Sequence, residues 1–202
     1  MARRSSATKA PRSEPVAARF GNIPGVPIGT VFKNRIAAKL LHPLLVGGIY
    51  GRADGARSVV LSKYYDDEDY GDHFTYIGSG GKETGLRTGP QIQDQSFDNL
   101  ANASLVMSAK RKKPVRVLRS CELNSKYAPL EGLRYDGLYI VSNPRYEISP
   151  KGFKICKFDF ERCPGQPPVP TRNDPDGARL FLDEWHAQYR LRVPRGCLRR
   201  RR

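Results

Sequence analysis

Residues 64–81, YYDDEDYGDHFTYIGSGG, set five carboxylates among four tyrosines and four glycines. Three kinds of chemistry are open to such a run. The plainest is a solvated acidic turn joining two strands, with Tyr76 packed in the sheet. A calcium loop is the second, but DDED lacks the alternating ligands and distal glutamate of an EF-hand. The third is an aromatic cage, in which tyrosine rings hold a stacked planar group and one carboxylate accepts a hydrogen bond from its edge.

The charge of the whole chain runs the other way. Its 202 residues carry a formal charge of +15. Residues 1–19 hold five Arg or Lys and one Glu, and residues 190–202 hold seven Arg and no acid. Setting these twelve basic residues and one acid aside leaves 23 basic and 19 acidic residues, a core of only +4. Residues 1–19 and 190–202 therefore read as basic tails flanking one domain at 20–189. Such tails attract phosphate without sequence preference, and LRRRR also suits nuclear import. A nucleic-acid partner and a nuclear location are expected.

Other classes find little support. The apolar runs are too short for a membrane span, so no membrane partner is expected. Cys121, Cys156, Cys163 and Cys197 are scattered without a C-x-x-C pair, so no metal and no cofactor is expected. A zinc deaminase needs H-x-E with P-C-x-x-C, and neither is found. No P-D…(D/E)-x-K pair suggests a nuclease. His42, His73 and His186 form no triad pattern with a serine. The expectation is a non-enzyme without a small-molecule substrate.

The elements that must position residues 64–81 are mostly strands. TVFKNRIA (30–37), LVGGIY (45–50), SVVLSK (58–63), FTYI (74–77), PVRVLR (114–119), GLYIVS (137–142) and GFKICKFDF (152–160) are short, β-branched or aromatic, and bounded by turn residues. Asp54-Gly55 predicts a hairpin turn. Helices are predicted over 92–109, with Phe97, Leu100, Ala101, Leu105 and Ser108 on one face, and over 177–190. The class is α+β, a strongly curved mixed sheet or open β-barrel with flanking helices.

Four ordered motifs, LVGGIYGR (45–52), YYDDEDYG (64–71), FTYIGSGG (74–81) and NSKYAPLEGLRYDGLY (124–139), resemble the SET- and RING-associated domain, also called the YDG domain. The likeness runs from about Gly21 to Gly152 and more weakly to about residue 172. It implies the PUA-like fold of that family and its function, binding of double-stranded DNA that contains 5-methylcytosine. The modified base is rotated out of the duplex into a pocket. Carried onto this chain, Tyr64 and Tyr76 stack on the base, with Tyr65 the alternative first ring. Asp67 accepts from its Watson–Crick edge, and backbone groups at Leu61, Ser62 and Ile77 complete that edge. Val46 enters from one groove; Leu86 and Arg87, on a second loop, enter from the other. Phosphate contacts are expected from Ser79, Lys82, Lys110, Arg111, Lys112 and Lys113. Chromatin proteins are possible further partners. A protein-interaction module with the same fold, or the DNA-targeting part of a modification-dependent nuclease, are the alternatives.

A carboxylate among the tyrosines then has a physical purpose. Cytosine offers an N4 amino donor where thymine offers an O4 acceptor. Thymine also carries a 5-methyl, so the methyl cannot separate the two bases, whereas an acceptor-only carboxylate can. Burying one methyl contributes roughly 0.8 kcal/mol, about fourfold in binding. The second loop, KETGLRTGPQ, has Gly85-Leu86 where animal members carry Asn-Lys, which implies tolerance of fully methylated sites.

Overall fold

The computed structural model describes residues 14–64, 67–82 and 89–173. Its frame is one eight-stranded sheet in the order β2-β3-β6-β7-β8-β5-β4, with β1 paired to β7. The strands are β1 (Val31–Phe32), β2 (Ile49–Arg52), β3 (Gly55–Leu61), β4 (Glu68–Asp69), β5 (His73–Ile77), β6 (Val115–Ser120), β7 (Leu133–Ile148) and β8 (Lys154–Arg162). One helix, α1 (Leu100–Arg111), packs on β2, β3 and β7. The sheet is mixed, because β3 and β6 run parallel while the other pairs are antiparallel. The order ends at β2 and β4, so the sheet is open, as the α+β reading expects.

β3 and β6 are buried along their whole length, because both faces are covered. Alternation divides their side chains between two cores. Val59, Leu61 and Val117 join Leu105, Phe74, Tyr76, Phe158 and Phe160 on the α1 side. Val60 and Leu118 join Ile23, Ile28, Leu41 and Tyr135 on the other side, beneath the N-terminal segment. That segment is fastened by two buried arginines. Arg57 donates to the carbonyls of Ala18 and Gly55 and to Asp54. Arg116 donates to the carbonyls of Ala17, Arg19, Gly21 and Leu41. Burial lowers the Arg116 pKa to about 10. Residues 14–19, assigned to the tail by composition, thus include a packed 3-10 turn (Val16–Ala18) whose Ala17 and Ala18 are buried.

Several predicted elements differ in extent; the strand expected over 45–50 begins only at Ile49. The strand expected over 30–37 shrinks to Val31–Phe32, because the Asn34 side chain accepts from the Ala37 N–H and starts a 3-10 turn, Ala37–Leu40. The helix expected over 92–109 starts at Leu100, where Asn99 caps it by accepting from the Ala101 N–H. Its buried face is Asn102, Ser104, Leu105, Ser108 and Ala109, and Leu100 is 87% exposed. Small residues let the helix lie close: a side chain at Gly51 would overlap Ser104. The predicted strand over 137–142 extends to sixteen residues as β7, passing Asn143 with a positive φ of 49°. The helix predicted over 177–190, and Cys197, lie outside the described residues.

Candidate nucleic-acid interface

Tyr64, Asp67 and Tyr76 come together at one end of the sheet. Leu61 closes β3 and is fully buried; Ser62 follows it, also buried, and Tyr64 is half-buried in the turn beyond. Asp67 immediately precedes β4, whose Glu68 and Asp69 pair with Thr75 and Phe74 of β5. That register carries Asp67 alongside Tyr76. The Ile77 N–H donates to Asp67 Oδ1 at 2.9 Å, which fixes the carboxylate to the strand bearing the second ring. Tyr76 is only 3% exposed and packs on Phe74 and Phe160, with ring centroids 6.5 and 5.7 Å away. Its hydroxyl lies 3.4 Å from the Val60 carbonyl. Tyr65 and Asp66 lie outside the described residues.

The Val46 loop reaches the same end. Gly48 O accepts from Val60 N–H at 2.8 Å, so the loop enters β2 beside the last residues of β3. Leu45 and Val46 are 55% and 62% exposed, two apolar side chains at the loop tip. Behind them, Gly47 O accepts from Arg35 at 2.7 Å and from His42 Nε2 at 3.3 Å. Because a carbonyl only accepts, His42 carries its proton on Nε2, and Nδ1 accepts from the Ser58 hydroxyl at 2.9 Å. Burial, reinforced by nearby Arg35, lowers the His42 pKa to about 3.

This sets an acid limit on stability. An unfolded histidine titrates near 6.5, whereas buried His42 stays neutral down to about 3. Below pH 6.5 the unfolded chain therefore binds a proton that the fold refuses. Unfolding free energy is expected to fall by up to about 1.4 kcal/mol per pH unit over this window. Urea denaturation at pH 7.5, 6 and 5 measures it. His42→Gln is expected to flatten the profile between pH 6.5 and 4, whatever its effect on stability at pH 7.5.

Gly48 has a second duty. A Cβ built on it would stand 2.4 Å from the Tyr76 hydroxyl and 3.4 Å from the Val60 carbonyl. Phe74 and Phe160 back the Tyr76 ring, so it cannot yield toward the core without shifting them. Gly48→Ala is expected to lower stability by about 1–3 kcal/mol, the range for overpacking a filled interior, as read by the urea midpoint.

The glycine turn after β5 is held from α1. Asn102 accepts from the Ser79 N–H at 2.7 Å and donates to the Ser79 carbonyl at 2.9 Å. Gln95 donates to the Gly78 carbonyl at 2.9 Å. Lys82 ends this turn, and its ammonium donates to the Tyr64 carbonyl at 2.6 Å. Leu86 and Arg87 lie outside the described residues, but the segment that contains them starts directly after Lys82. Lys110, Arg111, Lys112 and Lys113 lie elsewhere. All four are exposed at the C-terminal end of α1. There Ser108 bonds Ala56, beside the β2–β3 turn and at the opposite end of β3 from Tyr64.

A buried ion network ties the acidic stretch to the sheet. Arg119 on β6 donates to both Asp69 oxygens at 2.7 and 3.0 Å, to Asp136 at 2.8 Å, and to the Gly71 carbonyl. Arg134 pairs with Asp136, and the Ser125 hydroxyl donates to Asp69 at 2.6 Å. Burial opposes the Arg119 charge, but Tyr139, Asp136 and Asp69 outweigh it and hold its pKa above the ordinary value. Burial likewise works against the Asp69 charge, but Arg119, Ser125 and the Gly71 N–H leave its pKa below the ordinary carboxylate value. Asp69 is therefore an internal strut that fixes the turn around Gly71. Asp136 of the Tyr135-Asp136-Gly137 triplet belongs to the same strut. Gly48, Asn102, Gln95 and Arg119 escaped the sequence reading of the site; Gln95 and Asn102 are two among several amides in the run leading through α1, and nothing in the sequence singles them out. Among the described residues, no three His, Cys, Asp or Glu side chains converge as a metal site.

Residues 19–166 match the model of the SAD/SRA domain, and the chain belongs to that family. Among its relatives is the UHRF1-like protein of Cryptococcus neoformans var. grubii, 44% identical over 167 residues, 76% of this chain and 49% of the relative. The chain thus spans about half the length of that curated relative. Among solved structures, the modification-dependent TagI restriction endonuclease is 40% identical with a TM-score of 0.68, covering 72% of this chain and 52% of that one. The SUVH5 SRA domain, solved in complex with fully methylated CG DNA, is 32% identical with a TM-score of 0.64. It covers 75% of this chain, which in turn covers 99% of it.

Proposed function

We propose that this chain is a non-catalytic reader of double-stranded DNA containing 5-methylcytosine, acting in the nucleus. The base leaves the duplex and lies between Tyr64 and Tyr76, with its N4 amine against Asp67. Leu61, Ser62 and Ile77 line the edge. Val46 enters the duplex from one loop, and Leu86 and Arg87 enter from the other. Ser79 sits on a turn that faces the backbone. Lys110, Arg111, Lys112 and Lys113, a strand's length away, serve as a remote phosphate contact of low sequence preference. The observation that carries this reading is the Asp67 carboxylate, fixed by the Ile77 N–H beside a buried tyrosine.

The energetics fit a plug-assisted mechanism. Flipping costs a few kcal/mol, and stacking on aromatic side chains returns about 1–3 kcal/mol per base. The difference is small, so the inserting side chains and phosphate contacts must supply the remainder. Titration of unmodified, hemimodified and fully modified duplexes at one fixed salt concentration tests the reading. Preference for modified duplexes is expected; equal curves for all three overturn it. A second reading rests on the likeness to the TagI endonuclease: the chain is the DNA-targeting part of a larger modification-dependent nuclease. Cleavage of methylated duplex by the whole protein with Mg²⁺ separates the two.

A further inference from the structure

We propose that Lys82 is a positioning residue that holds the first base-stacking residue, Tyr64, in place. The proposal rests on the reader function above. Lys82 stands at a rigid point. It pairs with Gln91 in an isolated bridge. The preceding Gly81 adopts a φ of 75° and its carbonyl accepts from the Ile92 N–H at 2.8 Å. The turn beneath is clamped to α1 through Asn102 and to the sheet through Gln95. From this platform the Lys82 ammonium spans eighteen residues of sequence to the Tyr64 carbonyl at 2.6 Å.

That contact is charge-assisted and partly buried, the kind of hydrogen bond that is short and about twice as strong as a neutral one. Tyr64 lies beyond the end of β3, where the sheet no longer dictates its place. A fixed donor on its carbonyl restrains the backbone that carries the ring. An ammonium turned into the protein is also a poorer phosphate ligand than a lysine in solvent, so the proposal gives Lys82 a role other than the phosphate contact expected from sequence.

The two roles give different salt dependences. Each phosphate contact contributes about 0.9 to the slope of log K against log salt. Binding to methylated and bare duplexes is measured at several salt concentrations for the unaltered protein, Lys82→Met and Lys82→Arg. If Lys82 positions the ring, Lys82→Met weakens methylated-duplex binding about tenfold, as expected for a lost charged hydrogen bond. The methylated-to-bare ratio then falls toward one, the salt slope stays unchanged, and Lys82→Arg restores the ratio. If both duplexes weaken equally and the slope shrinks by about 0.9, Lys82 is a phosphate ligand and the proposal fails. Unchanged binding by Lys82→Met also ends it. Thermal melting checks that Lys82→Met is folded, and Lys82→Gln takes its place in the same titrations if it is not. Equal binding of both duplexes by the unaltered protein would instead refute the reader function itself.

Discussion

A protein carrying Asp67→Asn is expected to bind methylcytosine duplexes about 10- to 100-fold more weakly and to gain relative preference for thymine. Geometry gives the direction. The Ile77 N–H donates to Asp67 Oδ1 at 2.9 Å. In the variant only the amide oxygen can take that bond, so the amide NH2 replaces the second carboxylate oxygen. A donor then faces the place proposed for the cytosine N4 amine, also a donor, and suits the thymine O4. Loss of a charged hydrogen bond costs about 1.5–3 kcal/mol. Stability should change little, because the bond to Ile77 survives. Titration with duplexes bearing methylcytosine, cytosine, or thymine opposite guanine reads the shift. Retention of the original preference by the variant would remove Asp67 from base recognition.

The parts of this site differ in how openly the sequence displays them. Tyr64, Asp67 and Tyr76 lie within thirteen residues, and a single strand pairing, β4 on β5, brings the acid alongside the second ring. Alternation also revealed β3, β5 and β6, since Val, Ile and aromatic residues recur there with turn residues at each end. What alternation could not reveal is that polar positions of β3 and β6 are buried as well. Ser58, Arg57 and Arg116 are covered by residues 14–42, and Arg119 reaches carboxylates on β4 and β7. Such partners are set by tertiary structure: Arg116 and Ala17 are 99 residues apart. The basic run at 110–113 shows the converse. Its charge is plain in the sequence, but only the packing of α1 decides that it falls at the far end of β3.

The second large effect is expected from Arg119→Leu, which should lower unfolding free energy by about 3–5 kcal/mol, the cost of breaking a buried ion pair from one side. Arg119 has no exposed surface and makes five hydrogen bonds, to Asp69, Asp136, Gly71 and Tyr139. A leucine fills much of the volume and none of these bonds. Asp136 keeps Arg134, but Asp69 keeps only neutral donors, the Ser125 hydroxyl and the Gly71 N–H. Total stability of a domain this size is typically 5–15 kcal/mol, so the variant should be marginal at pH 7.5. Acid should then narrow the difference. With its cation removed, buried Asp69 has its carboxyl pKa pushed upward, so protonation as pH falls relieves the variant, whereas the unaltered protein gains no such relief. Urea denaturation at pH 7.5 and 5.5 should show the gap between the two proteins closing, and Asp69→Asn combined with Arg119→Leu should cost less than the sum of the two changes. A gap independent of pH, with strictly additive costs, would mean that the arginine acts by packing alone. The same network neutralises Asp69, two residues from the acid proposed to face the base, inside the fold.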